Sequence, residues 1–358
     1  MPLIPIQDAR ARYTNQFIGG WKETFPVTNF LRSFFENKVS PTKEVSIEVR
    51  RGYKKIAVDV MRGQQANRNK SGHSTLKTFV PPYYFEGFNS TDLDLYDNLF
   101  GSFGEVTDSA LVAAAVQEVT DQYLDLKNKI ERSYELLSAQ VLQTGKITTT
   151  AADSIDYKAK ATHIKTLSTK WDATTPKIFS SLKDAFDQLR TDGAAAVEFD
   201  VVMGASAAEY LLDSDEYKTK FGLYPTVTSQ YNLPRIDATS GAVFHNRIAI
   251  GPYIVNLWSY NETYTASDGT DTPFLDPKKV IIIAKSFKGF LSFGAVPRVL
   301  TASNQSAAPQ YSQVIDSGKY ILNNYVDQAT AVHYFDIKSA GLPVPLSIDH
   351  FSCLTVLG

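Results

Sequence analysis

The stretch that decides the fold is residues 107–143, TDSALVAAAVQEVTDQYLDLKNKIERSYELLSAQVLQ. Apolar residues recur there at alternating steps of three and four, which places them on one stripe of an α-helix. The opposite face carries charged residues, Glu131 and Glu135 among them, while Asp108 and Gly145 suit the two helix ends. At about 1.5 Å per residue the helix would span on the order of 50 Å. The apolar stripe comprises Val112, Val116, Val119, Tyr123, Leu126, Ile130, Tyr134, Leu137 and Val141.

A helix of this length with one apolar stripe has two interpretations. It could pair with another long helix, but the chain has no second helical pattern of similar length, and tyrosines are unusual in a coiled-coil seam. We therefore expect the helix to lie across a β-sheet. The following residues 144–159, TGKITTTAADSIDYKA, support this interpretation because they indicate a turn and then strand-like alternation.

Composition narrows the class of protein. The 358 residues suffice for one large or two moderate domains, and 43% hydrophobic residues suffice for a packed core. A formal charge of −2 excludes a global field that attracts nucleic acid or an anionic membrane. No apolar run is long enough to span a bilayer, so no membrane partner is expected. The single Cys353 excludes an internal disulfide and a multi-cysteine metal site, which favours a cytosolic folding environment.

Residues 1–40 combine many aromatic side chains with interrupting prolines and glycines. Such a segment cannot bury its own aromatics, so it must lie on the rest of the chain or on a neighbouring molecule. We expect an extended arm that ends in a short helix over residues 28–38, TNFLRSFFENK, with Thr28 or Asn29 as the cap. The aromatic residues expected to make contacts outside the arm are Phe17, Trp21, Phe25 and Phe34.

Residues 45–60, VSIEVRRGYKKIAVDV, alternate apolar and polar side chains with the period of a half-buried strand. A polar, basic stretch follows over residues 61–72, and strand-like alternation resumes at residues 75–80. The pattern predicts a long projecting hairpin, and because a lone hairpin is marginally stable in water, it should need a partner surface. The tip residues expected to contact that partner are Arg62, Gly63, Arg68 and Lys70.

The remaining chain predicts mixed helix and strand, and then mostly strands. We expect helices over residues 178–193 and 206–221, the second capped by Ser206, around a buried strand at residues 198–204. The carboxyl-terminal sixty residues indicate alternating strands, a proline-rich turn at residues 341–347, GLPVPLS, and a terminal strand at residues 350–357. Taken together, these elements predict the α+β class.

One enzymatic alternative stays open. A strand followed by Gly204-Ala205-Ser206-Ala207 and a helix resembles the nucleophile elbow of an α/β serine hydrolase, and His245, His333 and His350 follow in the required order. Against this, Ala208 replaces the second glycine, and no oxyanion-loop motif precedes the serine. Ser206 is better explained as a helix cap. The five histidines lack metal-ligand spacing, and no cofactor motif is complete.

A second alternative is a nucleic-acid-binding protein that uses the basic hairpin, with Arg50, Arg51, Lys54 and Lys55 around Tyr53. Acidic residues on the same strands weaken this hypothesis. A solvated hairpin that pairs its bases with acidic groups on a neighbouring copy explains the pattern better.

The order of elements resembles the Hong Kong 97-type capsid fold of tailed bacteriophages, and more specifically the lambda-type major capsid protein E family. In that fold an N-arm and an E-loop hairpin precede a P-domain with a long spine helix, and an A-domain follows. The resemblance covers nearly the whole chain. It depends on VSIEVRRGYKKIAVDVMRGQQ (45–65), FVPPYY (79–84), ERSYELLSAQVLQTGKITT (131–149) and FLDPKKVIIIAKSFKGFLSFGAVP (274–297).

The resemblance implies a non-enzymatic major capsid protein that self-assembles into pentamers and hexamers of an icosahedral head around double-stranded DNA. Contact with the DNA would be non-specific. The implied partners are other copies, a separate scaffolding protein rather than a fused one, a portal and a decoration protein. The implied location is the virion, after assembly in the host cytoplasm. The implied regions are the N-arm (1–40), E-loop (41–88), P-domain with spine helix (89–170), A-domain (171–300) with central loops at 224–240, and a return to the P-domain (301–358).

Overall fold

The computed structural model describes residues 27–50, 74–91, 108–148, 154–222, 235–236, 240–297, 311–327 and 332–358. The helices are α1 (Asp108–Thr144), α2 (Ile178–Asp192), α3 (Ala205–Asp213) and α4 (Asp215–Gly222). The strands are β1 (Phe35–Val39), β2 (Val45–Arg50), β3 (Ser74–Phe79), β4 (Tyr84–Thr91), β5 (Lys146–Ile147), β6 (Ile155–Asp156), β7 (Ile164–Thr166), β8 (Glu198–Met203), β9 (Arg235–Ile236), β10 (Ala242–Ile250), β11 (Tyr253–Tyr260), β12 (Thr263–Thr265), β13 (Asp271–Pro273), β14 (Lys279–Ala284), β15 (Gly289–Phe293), β16 (Tyr311–Ile315), β17 (Tyr320–Asp327), β18 (Val332–Ser339), β19 (Gly341–Pro345) and β20 (Phe351–Thr355).

The strands form three larger sheets and three short two-stranded ones. The seven-stranded sheet has the order β7-β20-β14-β8-β11-β10-β9, the four-stranded sheet β16-β17-β18-β4, and the three-stranded sheet β1-β15-β19. The two-stranded sheets are β2-β3, β5-β6 and β12-β13. Helix and strand therefore mix in one α+β chain, as the sequence predicts.

Helix α1 begins and ends within one residue of the predicted range. Its end is set by Gly145, whose φ of +67° is a left-handed conformation that glycine adopts easily. The Gly145 N–H donates to the Val141 carbonyl oxygen at 2.8 Å, which closes the last helical turn. A Cβ at this position would lie 2.7 Å from the Ala159 Cβ, so the close approach of residue 159 also requires glycine.

The carboxyl-terminal half of α1 lies across sheets, as expected. Ile130, Leu137 and Leu142 are buried in a core that also contains residues of β14, β15, β18, β19 and β20. Tyr134 packs edge-to-face on Tyr84 and on Phe293, with ring centroids 5.5 Å apart in both pairs. Its hydroxyl lies 2.5 Å from the Ser339 Oγ. One helical side chain thus contacts the four-stranded sheet and the three-stranded sheet together.

The prediction of a continuous polar face on α1 is wrong at the carboxyl-terminal end of the helix. Glu135 is fully buried and the Glu131 side chain is only 13% exposed. Ser138, Ala139 and Gln143 are buried as well, so this part of the helix is enclosed on nearly all sides. The charged residue at position 135 is tolerated because other parts of the chain supply its hydrogen bonds.

The seven-stranded sheet separates two cores. The second core lies between this sheet and the helices α2 and α3. Strand β8 is central, since it pairs in parallel with β11 and antiparallel with β14. The buried α2 residues are Ile178, Phe179, Leu182, Ala185, Phe186 and Leu189.

The predicted helix capped by Ser206 is wrong in two respects. Helix α3 begins at Ala205 after Gly204, so Ser206 lies inside the first turn and makes no capping bond. The predicted single helix also divides at Ser214, whose Oγ accepts the Tyr217 N–H at 3.2 Å. Gly204 itself is required by packing, because a Cβ there would lie 2.3 Å from the Asp276 carbonyl oxygen.

The predicted short helix over residues 28–38 is also wrong. Only one 3-10 turn forms, at Arg32–Phe34, with no side-chain cap. The chain then enters β1, which pairs in parallel with β15. The backbone ladder to β15 and a carboxylate from α1 satisfy the amide groups that a helix would have satisfied internally. The Thr28 hydroxyl pairs with the Tyr260 hydroxyl instead, at 3.0 Å.

The predicted proline-rich turn at residues 341–347 is a strand. Residues Gly341–Pro345 form β19, which pairs antiparallel with β15 and places Pro343 opposite Leu291. Strand β19 lies at the edge of its sheet, where a proline, which has no N–H to donate, breaks no ladder. Turn propensity was therefore overridden by pairing with a distant strand.

The described part of the predicted hairpin is present. Strands β2 and β3 pair antiparallel from Val45 opposite Phe79 to Arg50 opposite Ser74. They form a sheet of their own, while β4 pairs with β18. The hairpin strands are therefore limited to β2 and β3, and residues 84–88 of the expected E-loop range belong to the four-stranded sheet. The predicted tip lies outside the described residues.

The burial of α1 predicts unequal effects of the same substitution at two of its leucines. Leu142 is fully buried, so Leu142→Ala should lower the free energy of unfolding by about 2–5 kcal/mol through lost contacts and a cavity. Leu124 is 50% exposed, so Leu124→Ala should change it by less than about 0.5 kcal/mol. Urea denaturation of the purified variants measures both. Equal losses would contradict the described placement of the helix.

Candidate assembly surfaces

A buried polar cluster joins the start of the described chain to α1. We call it the arm joint, and it consists of Thr28, Arg32, Glu131, Glu135 and Tyr260. The Glu135 carboxylate accepts the backbone N–H of Leu31 at 2.8 Å, the backbone N–H of Arg32 at 2.9 Å and the Tyr260 hydroxyl at 2.8 Å. One carboxylate therefore holds two successive amides of the arm and the end of β11.

A second acid lies one helical turn away in the same joint. The Arg32 guanidinium forms an ion pair with Glu131, and the Tyr320 hydroxyl donates to the same carboxylate. The guanidinium carbon also lies 5.9 Å from the centre of the Tyr134 ring. Arg32 thus contacts both acids, Glu131 through its guanidinium and Glu135 through its backbone N–H, and the partners come from the arm, α1, β11 and β17.

Burial controls the electrostatics of the joint. Loss of water raises the pKa of Glu135 to about 7, although the bonds from Arg32, Leu31 and Tyr260 act in the opposite direction. Burial also raises the pKa of Tyr260 well above its usual range, with the charge of Glu135 as the next cause. Both hydroxyl and carboxyl therefore favour their neutral forms more than exposed groups do.

Aromatic packing surrounds the joint on the arm side. The Phe30 ring centroid lies 5.2 Å from Trp258, 5.8 Å from Tyr260 and 5.5 Å from Phe34. Phe34, expected to contact a neighbouring molecule, is partly buried against the core of its own chain. The root of the arm therefore lies on its own chain. The other expected arm contacts, Phe17, Trp21 and Phe25, are outside the described residues.

The four-stranded sheet has one covered and one open face. Tyr84 and Phe88 contact α1 through Tyr134 and Tyr123. On the other side, Tyr83 and Phe85 are 48% and 53% exposed and stack with ring centroids 6.2 Å apart. We call this side the outer sheet face.

Charged residues of β18 complete the outer sheet face. The Lys338 Nζ lies 4.8 Å from the centre of the Phe85 ring. Asp336 pairs with Gly87, and a Cβ there would lie 2.3 Å from the Asp336 carboxylate. Burial raises the pKa of Tyr83, and the negative charge of Asp336 adds to that effect. The face therefore combines two exposed aromatic rings with one cation and one anion.

A further polar cluster ties α2 to the seven-stranded sheet. The His163 Nε2 lies 2.7 Å from the Asp192 carboxylate, which also accepts from Lys160 and Gln188. Burial acts to raise the pKa of Asp192, but these hydrogen bonds together hold it well below its usual range. The cluster joins the end of α2 to the residues before β7.

The geometry does not assemble the hydrolase alternative. Ser206 is partly buried in the first turn of α3, and within the described residues no histidine hydrogen bonds to it. His245 lies 2.7 Å from Ser259, and His350 lies 3.1 Å from Ser286. His333 lies in β18. Across the described ranges, no three His, Cys, Asp or Glu side chains are grouped to hold a metal.

The structure distributes the predicted stripe of α1 between two environments. Ile130 and Leu137 are buried, and Leu126 is partly buried against the same core. Tyr123 is half-buried, and its hydroxyl donates to the Asn323 carbonyl oxygen at 3.0 Å. Val119 lies in the helix, in a part whose side chains are not described. The predicted tip residues Arg62, Gly63, Arg68 and Lys70 lie outside the described residues.

The sequence patterns did not indicate the residues that define the arm joint and the outer sheet face. Glu135 carried no signal, because its position on the helical wheel indicated solvent exposure. Arg32 lay within a helix prediction that was wrong. Tyr83 and Phe85 do alternate with Tyr84 in a strand-like pattern, and this pattern after two prolines could have indicated an open aromatic face.

The arm joint predicts that one hydroxyl group carries considerable stability. Tyr260→Phe removes the group that bridges Glu135 and Thr28, and should lower the free energy of unfolding by about 1–3 kcal/mol because buried partners lose a hydrogen bond. Tyr210→Phe, at a side chain 45% exposed, should change it by less than about 0.5 kcal/mol. Chemical denaturation of both variants tests this. A Tyr260→Phe protein as stable as the control would rule out the bridge.

Comparison with known proteins now identifies the architecture. Within the described residues, no helix is both long and apolar enough to cross a membrane. A search of curated proteins gave no match. Among solved structures, a protein described as a prophage capsid protein of E. coli CFT073 superimposes with a TM-score of 0.61 at 18% identity, covering 97% of this chain and 98% of that one.

Two phage shells extend the structural match. The capsid of cyanophage A-1(L) gives a TM-score of 0.54 at 12% identity, covering 94% of this chain and 95% of that one. The capsid of cyanophage P-SCSP1u gives a TM-score of 0.51 at 9% identity, covering 94% of this chain and 90% of that one. These neighbours confirm the expected Hong Kong 97-type fold. The family described as Phage major capsid protein E matches residues 21–355. The chain therefore belongs to the phage major capsid protein E family, whose members are structural proteins that form capsids.

Proposed function

We propose that this chain is the repeating subunit of an icosahedral phage head, arranged in pentamers and hexamers around double-stranded DNA. Membership of the capsid family establishes the structural role and self-assembly into a multimeric shell. The observation that carries the finer proposal is the isolated hairpin of β2 and β3. A protein that functions alone has little reason to maintain such an element.

Strands β2 and β3 have no third strand beside them among the described residues. Two-stranded hairpins are marginally stable in water and usually need a third strand or a packing surface. Val45 and Phe79 at its base do pack on the core of their own chain, and the ring centroids of Phe79 and Tyr157 lie 5.6 Å apart. Beyond that base, β2 and β3 pair only with each other among the described strands. We infer that a neighbouring subunit supplies the missing surface.

The outer sheet face is the surface best suited to receive that hairpin. Its exposed pair Tyr83 and Phe85 forms an apolar area of the kind that marks protein contacts, and Lys338 and Asp336 can set the register. The hairpin and this face are different surfaces, so the contact between copies is heterologous. Heterologous contacts close into rings when the rotation permits, as pentamers and hexamers require.

The arm and the hairpin tip provide the other proposed contacts. Aromatic residues Phe17, Trp21 and Phe25 would bind along a neighbouring subunit, and Phe34 would stay at the arm root. The tip residues Arg62, Gly63, Arg68 and Lys70 would contact the subunit that receives the hairpin. Val119, Tyr123, Leu126, Ile130 and Leu137 would keep the spine helix aligned with its sheets. Many contacts of ordinary size then combine into a stable closed shell.

The proposed regions follow the capsid architecture: arm 1–40, E-loop 41–88, P-domain 89–170, A-domain 171–300 and the return to the P-domain at 301–358. The pairing of β4 with β18 supports one change to these bounds, because it favours moving residues 84–88 from the E-loop to the P-domain. We propose further partners of the shell: a separate scaffolding protein, a portal, a decoration protein and packaged DNA bound without sequence specificity. The location would be the virion after assembly in the host cytoplasm.

Catalysis is not part of the proposed function. The chain belongs to a family of structural proteins, and Ser206 has no histidine bonded to it among the described residues. A fluorophosphonate probe distinguishes the two functions directly. The capsid proposal expects no labelling of the purified protein, whereas labelling that Ser206→Ala abolishes would establish the hydrolase alternative.

Assembly itself is tested by microscopy of the protein expressed alone and with its neighbouring open reading frames, together with light scattering for mass. Closed shells, tubes or capsomer-sized rings are the expected products. A monodisperse monomer or dimer under both conditions would overturn the proposal.

The outer sheet face predicts a specific assembly defect. The double variant Tyr83→Ser and Phe85→Ser should raise the protein concentration needed for assembly by about tenfold or more, because buried aromatics dominate interface energetics. Tyr210→Ser removes a comparably exposed ring from α3 and serves as the control, with an unchanged threshold. Light scattering over a concentration series measures both. Identical thresholds would show that the outer sheet face lies outside the subunit contacts.

A further inference from the structure

The arm joint has a composition that a purely structural anchor does not need. A permanent anchor could be made from uncharged hydrogen-bonding groups, yet this one pairs the Arg32 guanidinium with Glu131 and the Arg32 backbone N–H with a second acid, Glu135, on which the charge of Arg32 also acts. With both acids ionised the trio carries one net negative charge in a site where Glu135 is fully buried. Uptake of one proton makes the trio neutral, and a neutral cluster costs less to bury.

The neighbours of Glu135 allow that proton to be accommodated. Its Oε1 faces the Tyr260 hydroxyl, which in turn lies 3.0 Å from the Thr28 hydroxyl. When Oε1 carries a proton it can donate to the Tyr260 oxygen, and Tyr260 can then donate to Thr28. The Arg32 N–H keeps its acceptor on Oε2 throughout. The joint therefore closes around a neutral carboxyl with its bond to Arg32 intact.

Titratable and charged groups face the joint from the arm, α1, β11, the segment after β11, and β17. Among the described groups, Arg32 is the base that acts on Glu135, while Lys127 and Asp316 face Tyr320. The charged and titratable groups are Arg32 from the arm, Glu131, Tyr134 and Glu135 from α1, Tyr260 from β11, Tyr320 from β17, and Glu262 beside Tyr260.

We propose that the arm joint is a proton-linked latch, which closes with uptake of a proton at Glu135 and holds the root of the arm to the spine helix more firmly in acidic than in alkaline solution. Its importance for shell assembly rests on the proposed function. The latch itself is a property of the single subunit.

The direction of the effect follows from linkage. The pKa of Glu135 is about 7 in the closed joint, whereas a solvated glutamate has the ordinary value of 4.5. A group whose pKa is raised by closure contributes stability below the ordinary value, and that contribution is lost as the pH rises through the raised value. Closure should therefore weaken by about tenfold per pH unit between roughly 4.5 and 7, and then stay constant.

Hydrogen exchange of the amides that bond to Glu135 tests the latch in the free subunit. Mass spectrometry of peptides covering Leu31 and Arg32 should show protection that falls by on the order of 100-fold from pH 4.5 to 7, after correction for intrinsic exchange. Glu135→Gln, which cannot ionise, should remove this pH dependence. Glu209→Gln, at an exposed glutamate on α3, is the matched control and should behave as the native protein.

A second variant keeps the test decisive if Glu135→Gln does not fold. Glu131→Gln removes the competing acid and leaves Arg32 free to compensate Glu135, so the loss of protection should move to lower pH. Protection that does not change with pH in the native protein, or a midpoint unaffected by Glu131→Gln, would overturn the latch. Both readings come from unassembled subunits, so their failure is distinguishable from a failure to form shells.

Discussion

The enclosure of the last turns of α1 between sheets is the constraint on which the rest of the structure depends. The single side chain of Tyr134 packs on β4 and on β15 and forms a hydrogen bond with the end of β18. Because a close-packed interior leaves no space for sliding, these contacts fix the angle between the four-stranded and three-stranded sheets. A rotation of the helix would break contacts to both sheets at once. The helix thus acts as a common reference for elements that are distant in sequence.

The same enclosure explains why the buried glutamate is so fully bonded. A charged group placed inside a core must recover the hydrogen bonds that it loses with water. Glu135 recovers three, from residues 31, 32 and 260, and Arg32 extends the set to Glu131. Residues 31, 32 and 260 each lie more than 100 positions from Glu135 along the chain, two before it and one after it. The same hydrogen bonds therefore stabilise both the burial of α1 and the placement of the arm root.

Periodicity predicted the elements whose pattern is local. The step of three and four gave α1 and α2 within about a residue at most ends, and alternation gave β2, β3 and β20. It failed where a distant partner decides. The sequence predicts a helix over residues 28–38, but residues 35–38 belong to β1 because they pair with β15. Pro343 is tolerated in β19 because that strand lies at the edge of its sheet. Glu135 could not be predicted at all, since its burial depends on tertiary neighbours.

Two incomplete surfaces distinguish this chain from a self-sufficient globular protein. The hairpin of β2 and β3 has no third strand among the described residues, and the outer sheet face leaves two aromatic rings exposed. Each is a cost for an isolated molecule, since one is marginally stable and the other exposes apolar surface. The costs disappear together if copies of the chain cover one another. A subunit of an assembly therefore needs a well-packed core and incomplete edges, because it must fold before it contacts its neighbours.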